Sequence, residues 1–304
     1  MTVNNNKRGV ALILSFVLIL LLASLGGYLF VKSGYENELT RQSTDSTKAF
    51  WAAEAGIAKK VAQLPNTAAI VNEALDGNSN LTYNVPQPTL VPGYLSRWTV
   101  SSTGTCASKR GTRDISMKRK VEVVVAGANS GGLENTVETT GTLDIGNNVT
   151  INGSTEENST LTFEQVFGLT EAQVKAQADR VYTNPATNQQ PVSGITWVDL
   201  TGSNKYSISS TWSGSGLLIV HHADPTKVAL DISGQWTFTG VVWVIGKLSI
   251  SGTGCHITGA AFAESGSEIN KFTGSSELSF SSTYRDSAFG LLGTDIISWK
   301  EVNP

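Results

Sequence analysis

From Val10 to Val31 the chain carries no charged side chain, a run of 22 mostly apolar residues. About 20 apolar residues cross a bilayer as a helix, so this run is long enough to span. It is also longer than the roughly 7–15-residue apolar core of a cleaved secretory signal. Lys7 and Arg8 precede it directly. The positive-inside tendency places such cations on the cytoplasmic side, which puts the remainder of the chain across the membrane.

The helix is expected to continue beyond the apolar run. No proline occurs between it and Pro65, and residues 32–64 are rich in Lys, Glu, Ala and Gln, all compatible with helix. Phe50, Ala53, Ile57, Val61 and Leu64 recur at spacings of 3 and 4, which marks one helical face. A helix from Val10 to Leu64 would be about 80 Å long. Its first half is apolar all round. Its last turns are amphipathic, so Phe50, Ile57 and Val61 are expected to pack on a folded domain.

The segments "KRGVALIL" and "KAFWAAEAGIAKK" resemble the N-terminal region of PilX-type minor pilins, a group related to the tip pseudopilin of type II secretion. The resemblance spans roughly residues 6–64, about a fifth of the chain. It implies a leader of residues 1–9, cut between Gly9 and Val10 by a prepilin peptidase, with N-methylation of Val10. It also implies a helix (10–64) held in the bacterial inner membrane and later packed against other pilin subunits in a filament core. The fifth residue of the mature chain would be Leu14, where major pilins resemble one another in carrying Glu. That departure implies a minor, tip or initiating subunit, or a register set by shape alone. Gly26 and Gly27 interrupt the apolar helix at about 1 kcal/mol each against Ala. They read either as a point that unwinds on assembly or as a close-packing surface.

After the helix the composition changes. Charged residues are 15% of the chain, well below the usual quarter, and Gly, Ser and Thr are abundant, as suits an extracytoplasmic β-rich domain. "YNV" (83–85), "RWTVSSTG" (97–104) and "KRKVEVVVAG" (118–127) are β-branched or alternating, which predicts a small antiparallel β region over 65–130. Further on, Ile232-Ser-Gly234, Phe238-Thr-Gly240, Ile250-Ser-Gly252, Ile257-Thr-Gly259 and Phe272-Thr-Gly274 share one form, and "LDIGNNVTING" (143–153) adds two more glycines. Short strands with a glycine turn at near-constant spacing predict a solenoid-like β-rich domain over 131–304. A β-sandwich is the rival arrangement. Thr170 to Gln173 reads as a capping box, opening a helical insert near 162–182 in which Val174, Ala178 and Val181 follow at 4 and 3. The fold class is therefore α+β: a long membrane-spanning helix, a small antiparallel sheet and a β-rich display domain.

No catalytic constellation is legible, and no cofactor or metal is implied. His221, His222 and Asp224 are close in sequence, but adjacent strand residues point to opposite faces. Asp224, Asp231, Glu264 and Glu268 are too scattered for a carbohydrate-cleaving site, so the chain reads as a non-enzyme. Cys106 and Cys255 are the only two cysteines; they form a candidate disulfide in an oxidising compartment or stay as two thiols. A net charge of −3 makes no case for nucleic acid. Lys109, Arg110, Arg113, Lys118, Arg119 and Lys120 surround a single Asp114, which reads as a solvated hairpin, a face for a neighbouring subunit, or a contact with an anionic surface. A surface or glycan ligand for the display domain, with adhesion as its role, completes the expected partners. A type II secretion pseudopilin and a single-pass anchored binding module are the alternatives.

Overall fold

A computed structural model describes residues 5–64, 66–110, 112–127, 133–185 and 192–302. Its first element, α1 (Asn5–Gln63), is one uninterrupted helix of 59 residues, about 88 Å long. It stops just before Pro65, since the residue before a proline is driven out of the α region.

The chain then builds an antiparallel sheet from β1 (Ile70–Leu75), β2 (Asn78–Val85), β3 (Thr89–Leu90), β4 (Arg97–Arg110) and β5 (Arg113–Ala126). β1 and β2 are joined by Asp76 and Gly77, both with positive φ (51° and 74°), the geometry that an Asp-Gly hairpin turn requires. The order is β1-β2-β4-β5, with β3 alongside β4. The upper half of α1 lies across this sheet. Ala52, Ala53 and Ile57 join Tyr83, Val85, Trp98, Val100, Val121, Val123 and Val125 in one buried cluster.

Beyond residue 133 the chain coils. β6 (Val137–Thr139), β7 (Thr142–Ile145), β8 (Val149–Asn152) and β9 (Thr155–Glu156) come first. Two short helices follow, α2 (Phe163–Phe167) and α3 (Glu171–Ala176). Then come β10 (Arg180–Thr183), β11 (Ile195–Leu200), β12 (Tyr206–Ile208), β13 (Trp212–His222), β14 (Val228–Ile232) and β15 (Trp236–Ile245). The coil ends with β16 (Lys247–Ile250), β17 (Cys255–Glu264), β18 (Ile269–Phe272) and β19 (Ser276–Phe280). From β11 to β19 the strands alternate between two parallel ladders, β10-β11-β13-β15-β17-β19-β8 and β12-β14-β16-β18-β7. This is a β-solenoid. Its end beside β18 and β19 is closed by the earlier strands β7 and β8, so "LDIGNNVTING" supplies the terminal turn of the stack.

The glycine repeat marks the corners. Gly216, Gly240 and Gly259 bend the long strands at positive φ, and a Cβ on each would run into the main chain of the glycine one turn away. Gly234, Gly252 and Gly274 form a second column, in which a Cβ on any of the three would again run into the main chain one turn away, at Ser210, Gly234 and Gly252 respectively. Successive sequence glycines therefore alternate between two corners, and one full turn contains both.

The long strands are apolar on both sides because both sides are covered. Leu218, Val220, Val242, Val244, Ala261 and Ala263 fill the solenoid interior. Leu217, Ile219, Val241, Trp243, Ala260 and Phe262 face outward, beneath Phe163, Phe167, Leu169 and Phe289. Trp243 stacks on Phe262 with centroids 4.0 Å apart. Capping boxes at Thr162–Gln165 and Thr170–Gln173 start α2 and α3, and Gly168 ends α2 in the left-handed region. The expected helical insert is shorter than 162–182, because Val181 lies on strand β10.

After α4 (Ser282–Phe289) the chain leaves the solenoid, and β20 (Asp295–Val302) pairs antiparallel with β5. Residues 131–304 therefore do not form one separate unit, since the last strand completes the first sheet. The solenoid is an insertion between two neighbouring strands of that sheet. Its seat is polar and specific: Arg97 pairs with Glu164 at 2.6 Å and donates to the Gly168 carbonyl, while Ser96 Oγ donates to the Val166 carbonyl.

Candidate functional site

The lower half of α1 is a bare apolar rod. Its most apolar stretch is long and apolar enough to cross a membrane, and none of it is buried. Leu14 is 71% exposed and Phe30 82% exposed. The helix passes through Gly26 and Gly27 without a break, and neither has another group within 4 Å of where a Cβ would sit. Gly9 and Val10 lie in the first turns of α1; their side chains are outside what the structure describes.

The upper half is held by small residues. Ala49, Ala52, Ala53, Ile57 and Lys60 are buried, while Phe50, Val61 and Leu64 pack only partly against the cluster. The buried stripe is thus rotated toward the small residues of "AAEAG". Close approach explains this. A Cβ on Gly104 of β4 would overlap the Ala49 carbonyl, and a side chain on Gly56 would strike Ser102 and Tyr83. Lys60 sits inside this contact, its ammonium donating to the Ala68 carbonyl, and burial lowers its pKa.

Phe50 instead meets β20, edge-on to Trp299 at 6.0 Å, and the Trp299 indole donates to Glu54 at 2.7 Å. Arg119 ties the three elements together, donating to Ser46 Oγ at 2.7 Å and to Glu301 at 2.8 Å. β20 is the component that sequence reasoning missed. No local pattern relates "DIISWKEV" to strands some 170 residues earlier.

The Cys106–Cys255 bridge is not made. Both thiols are free and buried. Cys106 belongs to the sheet under α1, beside Asp45, whereas Cys255 lies inside the solenoid. Burial pushes the Cys255 thiol up to about 12, so it is a packing residue rather than a reactive one.

His221 and His222 diverge as adjacent strand residues must. His221 lies 3.4 Å from Asp199 and 3.5 Å from Glu171 on the outer face. His222 is buried, and its Nδ1 accepts from the Asp224 amide. Among the described residues no group of three or more His, Cys, Asp or Glu could hold a metal ion. A cavity of about 380 Å³ beside α2 and α3 is lined by Thr162, Phe163, Glu164, Thr170, Glu171, Ala172 and Glu264. Two of its three carboxylates are engaged, Glu164 with Arg97 and Glu171 with His221. Burial, with Glu171 nearby, raises the pKa of the third, Glu264.

No protein-family model matches the chain. No curated protein sequence matches it either. Among solved structures, the competence-associated pilin ComZ from Thermus thermophilus aligns over 85% of this chain and 98% of that one, at 12% identity and a TM-score of 0.30. A likeness at that score carries no argument about this chain.

Proposed function

We propose that this chain is a minor subunit of a type IV pilus or a related filament, with the solenoid as its displayed part. The observation that carries this reading is the division of α1. Its upper half is fastened to a sheet through Ala49, Ala52, Ala53 and Ile57, and its lower half presents an apolar surface that the chain itself leaves uncovered. Such a rod is stable only in lipid or against other apolar helices. One rod serving both environments in turn is the working principle of a filament subunit drawn from the membrane. The leader "NNNKRG" before Val10 supports processing between Gly9 and Val10 by a prepilin peptidase, with methylation of the new Val10 amine. The inner membrane is then the store before assembly, and the pilus or cell surface the destination.

Leu14, at the fifth mature position, favours a tip or initiating place. A terminal subunit needs no carboxylate there to meet a neighbour's amine in an apolar bundle, where an unpaired charge is costly. Intact-mass measurement on membrane-extracted protein tests the reading: the chain should begin at Val10, with one added methyl group. A chain that keeps Met1, or that is cut beyond residue 25, refutes it.

A further inference from the structure

The β4–β5 hairpin points toward the membrane end of α1. Along β4, Ser102 lies against Gly56, Gly104 against Ala49 and Ala53, and Ser108 Oγ donates to Asp45 at 2.9 Å. β4 therefore runs antiparallel to the helix, and each residue further along it sits closer to the apolar half. The strands continue to a tip where Lys109 pairs across from Asp114 and Arg110 from Arg113.

The distances fit a bilayer contact. About 21 Å of helix separates Asp45 from Val31, and the two strand residues beyond Ser108 recover about 7 Å of that. The remaining gap of about 14 Å is spanned by a headgroup layer some 5–7 Å deep and the extended reach of Lys and Arg, whose stems follow apolar surface while their charges stay wet. Lys109 and Arg113 are exposed at the tip, with Asp114 the sole carboxylate between residues 109 and 120, while Lys118, paired across from Thr105, lies too far up the hairpin to reach. The helix carboxylates at the same level are occupied: Glu36 by Lys32, Glu38 by Gln42 and Asp45 by Ser108.

We propose that, while the chain is held in the membrane, this hairpin docks its cations on anionic lipid headgroups and so fixes the tilt and rotation of the sheet and solenoid above the bilayer. The inference rests on the membrane reading of α1. Each Lys or Arg near an anionic surface contributes about fivefold to the attraction. Withdrawal of the helix from lipid would have to break these contacts, which makes the docked state a property of the stored subunit alone.

The test uses the full chain in lipid nanodiscs, with a nitroxide on Thr112→Cys at the exposed tip; both native thiols are buried. Relaxation by nickel chelated to headgroups reports proximity. A bilayer with about one-third anionic lipid should give at least about threefold stronger relaxation than a zwitterionic one. Salt at about 1 M, which shortens screening to about 3 Å, should abolish the difference, as should the double change Lys109→Gln, Arg113→Gln. Equal relaxation in the two bilayers by an inserted chain overturns the docking proposal and leaves the cations to a protein partner. A chain that fails to float with either bilayer overturns the membrane reading on which it stands.

Discussion

Gly104 of β4 lies directly against the main chain at Ala49 of α1, so close that a single methyl group at residue 104 would overlap the Ala49 carbonyl. This contact sets how deeply the helix beds into the sheet.

Gly104→Ala should therefore force helix and sheet apart and lower stability by about 1–3 kcal/mol, the usual cost of overpacking. Thermal unfolding checks the loss. Hydrogen exchange should place the lost protection in residues 45–60 and 98–106. An unchanged midpoint would mean that the helix shifts along the sheet without penalty.

Trp243 carries the cover over the solenoid, lying within 5.7 Å of Phe163, 5.1 Å of Phe167 and 4.0 Å of Phe262, centroid to centroid. Trp243→Ala should cost about 3–5 kcal/mol in denaturant unfolding. It should also release α2 and α3 to faster exchange while the strand ladders stay protected.

Glu264 supplies a pH signature. Burial raises its pKa in the folded chain above the ordinary value of a glutamate carboxyl, about 4.5, so the folded state favours the neutral carboxyl. At a pH below the unfolded value both states are protonated and nothing is lost. As pH rises through 4.5 toward the higher folded value, the native state is progressively penalised. Glu264→Gln should thus be more stable than the parent at pH 7, with the advantage vanishing near pH 4. The difference in unfolding midpoint between the two chains, followed across that range, measures it. An advantage that persists unchanged at pH 4 would show that packing, not ionisation, is responsible.

If the chain sits at the filament tip as proposed, Leu14→Glu should not raise incorporation into sheared filaments, because a subunit without a neighbour above it has no amine for the new carboxylate to meet. Quantitative mass spectrometry of filaments should also find the parent chain far below the principal subunit. A gain on introducing Glu would place the chain within the shaft instead.

The long helix was legible because an uncharged run and a distant first proline are local features. The face it buries was less so. The apolar stripe found Ala53 and Ile57 but also drew attention to Phe50 and Val61, whereas a helix that beds this closely adds Ala49, Ala52 and Gly56, which no hydrophobicity pattern ranks highly. The solenoid was legible through its glycine corners. The length of one turn was not, because two corners with the same local sequence alternate. Cys106 and Cys255 show the limit of counting: two cysteines satisfy the arithmetic of a bridge, and the fold puts them in different cores. β20 was not legible at all, since pairing between strands so far apart leaves no short-range trace.

The insertion of the solenoid between β5 and β20 makes the order of synthesis matter. β5 emerges early, but its partner is made some 170 residues later. Until then one edge of the helix-bound sheet stays bare, Phe50 lacks Trp299, and Arg119 lacks Glu301. A chain cut short anywhere in the solenoid can never close that edge. The sheet that grips α1 thus doubles as a completeness check: only a finished solenoid, followed by β20, yields a finished hold on the helix.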